Sequence, residues 1–453
     1  MVATHVPRRA LAALILSLVG LAGCPAPRGD RPEGGARGQR DVGQSGGAAV
    51  KAPAPESPAR APTARAEDVE AAKKLLQALG ENVQCTILPG GIITEIAVQD
   101  GSALSAEHIA LFGRLTDLEK LQIYNFRSLN DEMARQLAGL KNLTALALTN
   151  SVIHDPTVEM IAASFPKLTD LDLSSNTNLT NGVMRIICGI SNLQRLTLVQ
   201  DRFNDLGTSH LSKLPHLRSL DLRGNMEAGD MTMEVLAGLP RLASLKHRST
   251  AVTDAGVEHL AGSKSLDALL MQDFAITNLS GQHLARLGKL TQLEIFRCQG
   301  FGSEGVLALK GMKLVRLTLR DLPMVDDQAM EVFTGLPELK RLYLHELPSV
   351  TDSGLQNLAH LKSLELLDIW MMPEMTDASV DVIARLPNLR EFGLRGTGVT
   401  DEAIDKLLAM PNLRTLTFRD NGKVTAEGLK KLAGKKSLKL DTGSADPGEA
   451  GSP

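Results

Sequence analysis

The stretch Leu364-Glu365-Leu366-Leu367-Asp368-Ile369 decides the fold. Alternate residues of a strand face opposite sides, so Leu364, Leu367 and Ile369 are expected to point into a core from a short strand and its approach. The pattern Leu-x-x-Leu-x-Leu recurs from Leu118, Leu143, Leu168, Leu193, Leu217, Leu242, Leu266, Leu290, Leu314, Leu339, Leu389 and Leu413. Ile93-x-x-Ile96-x-Val98 is an earlier copy, Leu438-x-Leu440 a truncated last one, and every spacing is 24 or 25 residues. A fixed period of that length marks a repeat architecture, because one unit cannot bury its apolar face without neighbours.

A second signal follows the strand in many units: Val350-Thr351-Asp352-Ser353-Gly354-Leu355, Val252-Thr253-Asp254-Ala255, Met375-Thr376-Asp377-Ala378 and Val399-Thr400-Asp401-Glu402. Thr or Asp there can accept hydrogen bonds from the open amides of a helix start. Leu355, Leu358 and Leu361 then recur at helical spacing, and Leu-Pro-x-Leu, as in Leu386-Pro387-Asn388-Leu389, closes the helix. About 14 such units predict an α/β solenoid over 93–440, with a parallel sheet on the concave side and helices on the convex side.

These residues resemble leucine-rich repeat proteins, and the Thr-Asp-x-Gly-Leu signal resembles the cysteine-containing subclass of F-box substrate receptors and many bacterial repeat proteins. The resemblance implies a horseshoe whose ninth repeat position, usually Asn or Cys, satisfies turn backbone. Asn176, Asn225, Asn421 and Cys298 fit, Thr250, Thr397 and Asp201 substitute, and Phe126, Phe274, Leu322, Leu347 and Met372 interrupt the ladder. No F-box precedes the repeats, so a ubiquitin-ligase role does not carry over, and the Cys-rich caps of animal extracellular members are missing.

The front of the chain has a different logic. Arg8 and Arg9 precede an apolar run from Ala10 to Leu21, too short to span a membrane comfortably and suited to a secretory signal over 1–23. Leu21-Ala22-Gly23-Cys24 resembles the bacterial lipoprotein lipobox, which implies lipidation of the Cys24 thiol and anchoring of the mature chain to a membrane. Pro25 rather than Asp follows, so the outer membrane is the expected destination. Residues 24–66 are rich in Pro, Gly, Ala and Arg, with too few aliphatic residues to fold, and read as a disordered tether of net charge +3. Residues 67–92 are expected to form a capping helix, from about Asp68 to Leu79, and a loop; 441–453 is a disordered polar tail.

Composition narrows the function. The net charge is −3 and the folded body is near −8 once signal and tether are set aside, so no nucleic-acid partner is expected. Four Cys do not make a disulfide scaffold, and no zinc, phosphate-loop or nucleophile-elbow motif occurs. Neither enzyme, metal nor cofactor is expected. His247, at an inward strand position, is expected to be a core histidine bonded to neighbouring backbone.

What remains is the concave face, where the third, fifth and seventh residues of each unit point outward. The seventh runs Phe296, Arg320, His345, Trp370 and Arg395 through consecutive units, and Tyr343 lies beside His345 at the fifth. The only Trp and both Tyr of the chain fall on these two columns. Aromatic residues and Arg dominate protein-binding hot spots, so these six form a candidate site for a protein partner. Gly393 is expected to leave open space beside Trp370 and Asp368. Two alternatives stand beside this reading: a structural envelope protein whose column only braces the sheet, and a glycan platform of Trp370, Tyr343 and Asp368.

Overall fold

The computed structural model describes residues 62–443. The signal sequence, Cys24 and most of the tether lie outside the described residues, as does the tail beyond 443. Sixteen strands follow one another in a single sheet in sequence order. They are β1 (Val83–Leu88), β2 (Ile92–Val98), β3 (Lys120–Ile123), β4 (Ala145–Leu148), β5 (Asp170–Asp172), β6 (Arg195–Thr197), β7 (Ser219–Asp221) and β8 (Ser244–Arg248). The sheet continues with β9 (Ala268–Gln272), β10 (Gln292–Phe296), β11 (Arg316–Arg320), β12 (Arg341–His345), β13 (Leu366–Trp370), β14 (Glu391–Arg395), β15 (Thr415–Arg419) and β16 (Lys439–Asp441).

From β2 onward every pairing is parallel and in step with the repeat: Leu317 lies opposite Leu342, Leu342 opposite Leu367, and Leu367 opposite Phe392. Leu364, Leu367 and Ile369 are fully buried, and their equivalents build one continuous core between sheet and convex side. The helices there are shorter than a typical α-helix. Asp352–Leu355 gives way to 3₁₀ turns over Gln356–His360, and Asp327–Gly335 is 3₁₀ throughout. A unit of 24 or 25 residues leaves little chain for the outer face, and the tighter helix fits short connections.

The Thr-Asp signal divides its labour. Thr351 caps its own helix, its Oγ1 accepting from Ser353 N at 3.1 Å. Asp352 reaches forward instead: Thr376 N and Thr376 Oγ1 of the next unit donate to its carboxylate at 2.9 and 2.5 Å. Asp327 holds Thr351 in the same way, Asp377 holds Thr400, and Asp401 holds Thr425. The Asp is therefore a staple between units: one bond of each pair satisfies a helix-start amide that has no partner within its own helix, and the other holds the Thr hydroxyl.

The ends correct three expectations. The helix Ala66–Leu79 covers the first repeat through Val69, Ala72 and Leu76, but the segment expected to follow it as a loop contains β1. Gly90 and Gly91, both at positive φ (87° and 81°), turn the chain so that β1 pairs antiparallel with β2. The end of the expected tether is held: Thr63 N and Ala64 N donate to Asp117 Oδ2 at 2.7 and 2.9 Å. Asp441, expected to open a polar tail, is the last residue of β16 and lies opposite Thr417.

The interrupted ninth-position ladder does not disturb the turns. Asn176 donates to Leu148 O and Leu173 O, and Asn225 to Leu198 O and Leu222 O. Where Leu322, Leu347 and Met372 replace them, the preceding residues Asp321, Glu346 and Met371 take left-handed backbone at φ 50–54°. Their amides donate to the last carbonyl of the next strand, at His345, Trp370 and Arg395. Backbone bonding sets the turn, and the apolar ninth residue fills the core.

Candidate functional site

The parallel register places the seventh-position residues side by side: Phe296 opposite Arg320, Arg320 opposite His345, His345 opposite Trp370, and Trp370 opposite Arg395. Tyr343 stands opposite Asp368 in the neighbouring column. All six candidate residues therefore share one patch of the concave face, and each is half-buried.

They are locked to one another. The Arg320 guanidinium lies 4.4 Å from the centre of the Phe296 ring and 5.1 Å from that of Trp370, reaching past His345 to do so. Its Nε donates to Glu346 Oε1 at 3.1 Å. Arg395 approaches Trp370 from the other side, 5.5 Å from the ring centre, and donates through Nη2 to Asp368 Oδ2 at 2.6 Å. His345 Nε2 meets the same oxygen at 2.9 Å, and the His345 ring lies edge-on to both Tyr343 and Trp370. Cations over aromatic faces in a half-desolvated setting stabilise both partners.

Burial pushes the Asp368 carboxyl upward, but the His345 hydrogen bond and the His345 and Arg395 charges outweigh it and hold the group below the usual carboxylate range. Burial raises the Tyr343 phenol. Part of the space expected beside Gly393 is filled: the Asp368 carboxylate lies where a Cβ on Gly393 would fall. The open hollow borders both residues and extends one strand further, a cavity of about 330 Å³ lined among others by Tyr343, Asp368, Gly393, Arg395, Thr417 and Arg419 but not by Trp370.

Sequence reasoning missed Arg297, Arg316 and Glu346 as members. Arg297 stacks on Phe296 at 4.7 Å and bonds Asp273, Arg316 stacks on Tyr343 at 4.8 Å, and Glu346 holds Arg320. Their signal lay in positions three and eight of the repeat, where polar residues look like ordinary solvated surface.

Outside the patch, His247 is the core histidine expected from its inward position. His247 is fully buried, with Nε2 2.8 Å from Ala228 O and Nδ1 3.2 Å from Leu222 O, and burial pushes its ring below the ordinary value. Burial pushes the Cys188 and Cys298 thiols up to about 12, which leaves them unreactive at neutral pH. Among the described residues no group of three or more His, Cys, Asp and Glu is placed to hold a metal ion, and no helix is long and apolar enough to cross a membrane.

Fold and register together define a leucine-rich repeat solenoid. Residues 409–433 match the family model described as Leucine Rich repeat. Tsukushi from Gallus gallus is 35% identical over 124 residues, a match covering 25% of this chain and 33% of that protein. Among solved structures, an internalin from Listeria monocytogenes is similar at 18% identity and TM-score 0.49, covering 84% of this chain and 96% of that one. Rad7, solved in complex with Elc1 in yeast, is similar at 18% identity and TM-score 0.47, covering 83% and 92%.

Proposed function

We propose that this chain is a protein-binding solenoid that takes its partner on the C-terminal half of the concave sheet, through Phe296, Arg320, Tyr343, His345, Trp370 and Arg395. We propose further that a lipid on Cys24 tethers it to a bacterial membrane, the outer rather than the inner. One observation carries the binding reading: the only Trp of a 453-residue chain stands between two Arg side chains on the concave face, with one of the two Tyr a strand away. Scarce aromatic residues gathered on one half-open surface, with cations beside them, suit a partner segment that places an acidic residue next to an apolar one.

The internal pairing of Arg320, Arg395 and Asp368 favours a second reading, a brace that stiffens the sheet without a ligand. The two separate in one experiment. The partner is crosslinked in the native envelope, purified, and titrated against parent and variants. Binding predicts that Trp370→Ala weakens the partner about 30-fold, equivalent to ~2 kcal/mol, and that convex-face Gln356→Ala changes nothing. The brace predicts a lowered melting temperature for Trp370→Ala with no loss of partner. Tight binding by Trp370→Ala but not by Tyr124→Ala would move the site to the N-terminal strands, and displacement by peptidoglycan fragments would reassign it to a glycan. For the anchor, Cys24→Ala should take up no labelled fatty acid, and equal labelling would refute lipidation.

A further inference from the structure

The hollow at the C-terminal end of the patch is bordered by two arginines and three carboxylates of the chain itself: Asp368 is bonded to Arg395, Asp441 to Arg419, and Glu391 stands exposed at the rim. Arg395 and Arg419 lie opposite one another on β14 and β15, about one strand spacing apart. Asp441 turns back over Arg419, which donates to it through Nε at 2.9 Å and through Nη2 to both oxygens. The Arg395 charge also reaches this carboxylate. Arg395 keeps Nε buried with no hydrogen-bond partner, while its Nη2 is taken by Asp368. A buried guanidinium N–H without an acceptor is costly, and native structures rarely leave one open.

Asp441 is a partly exposed occupant of the Arg419 fork. It ends a three-residue edge strand paired only with β15, and its side chain and that of Arg419 are 45% and 43% exposed. Gly443 N also donates to Asp441 Oδ1 at 3.1 Å, so rotation of the Asp441 side chain frees the Arg419 fork at the loss of that bond, and partial exposure limits what the ion pair contributes. The opposite wall offers Tyr343 and Leu366, so a carboxylate entering here would bring its neighbouring apolar group against apolar surface.

We infer that this hollow is a carboxylate-binding subsite of the concave face, in which Asp441 stands in for an acidic residue of the partner segment. The incoming carboxylate takes the Arg419 fork beside the Arg395 charge, while Asp441 turns out to solvent. The inference rests on the concave-face reading and adds the chemistry of the partner and an internal competitor for it.

Trp370 is the only indole of the chain and reports on the patch by fluorescence. The full chain is titrated with a short synthetic peptide of alternating leucine and glutamate, and with its leucine–glutamine counterpart. The acidic peptide should bind and the amide peptide should not. Asp441→Asn, with the competitor neutralised, should bind the acidic peptide roughly 2- to 5-fold more tightly than the parent, and Arg419→Gln about 10-fold more weakly. Thermal melts of both variants serve as folding controls. Failure of the acidic peptide to bind, no gain in Asp441→Asn, or an equal gain for the amide peptide would overturn the subsite. If the native partner is nevertheless lost in Trp370→Ala, the concave-face reading survives without it. Full partner binding by Trp370→Ala and Arg320→Ala would instead overturn the concave-face reading, whatever the peptide does.

Discussion

The Asp368 carboxylate occupies the place where a side chain on Gly393 would begin. The two residues face each other across β13 and β14, and the missing Cβ lets Asp368 lean over until it meets both His345 and Arg395. Gly393 is thus a packing requirement of the patch as well as part of the wall of the hollow beside it.

Gly393→Ala should displace Asp368 and leave His345 and Arg395 without their shared acceptor. A half-buried charged network that loses its central acceptor costs roughly 1–3 kcal/mol. The expected outcome is a lower melting temperature together with altered Trp370 fluorescence, since Arg395 and His345 both contact that ring. A melt and emission spectrum matching the parent would show that Asp368 is not held in this position.

Asp201 gives a stability test with a defined pH window. It is fully buried, Oδ1 accepts from Asn176 N at 2.8 Å, and Oδ2 has no partner. Burial, with help from the Asp172 charge, pushes its carboxyl up to about 8. A folded-state value raised above the unfolded one means that stability is fully present below about pH 4 and is lost as pH rises toward 8. Asp201→Asn removes the ionisation and supplies the amide donor that Asn176 and Asn225 use in the same turn. The variant should be more stable at pH 7 by on the order of 2–4 kcal/mol, with the advantage vanishing near pH 4. Denaturant unfolding of both proteins across pH 4–8 measures the difference, and a gap that stays constant with pH would contradict the raised value.

Asp352 tests the staple between units. Its carboxylate receives Thr376 N, Thr376 Oγ1 and Ser379 Oγ from the following repeat. Burial opposes the charge, but these hydrogen bonds outweigh it and lower the carboxyl's pKa. A depressed value contributes stability above the ordinary carboxylate range that is lost as pH falls through the folded value. Asp352→Ala should cost about 1–3 kcal/mol and open exchange first at the amides of Thr376 and Ser379. Protection at those two amides equal to the parent's would exclude the staple.

The sequence alone was enough for the solenoid. A period of 24 or 25 residues with three inward apolar positions has only one way to bury itself, so sheet side, strand register and the outward columns could all be read before any coordinates. Because side chains alternate along a strand, the register also placed Phe296, Arg320, His345, Trp370 and Arg395 in one row. The tertiary structure decided everything that depends on reach. Arg320 passes His345 to stack on Trp370, Asp352 bonds the next unit and not its own helix, Asp368 fills part of the space over Gly393, and Asp441 folds back onto Arg419. Each of these is a choice of rotamer and partner made across a strand gap. The repeat period fixes where a Cα stands but leaves a long polar side chain several neighbours to choose from, and only packing and electrostatics select one.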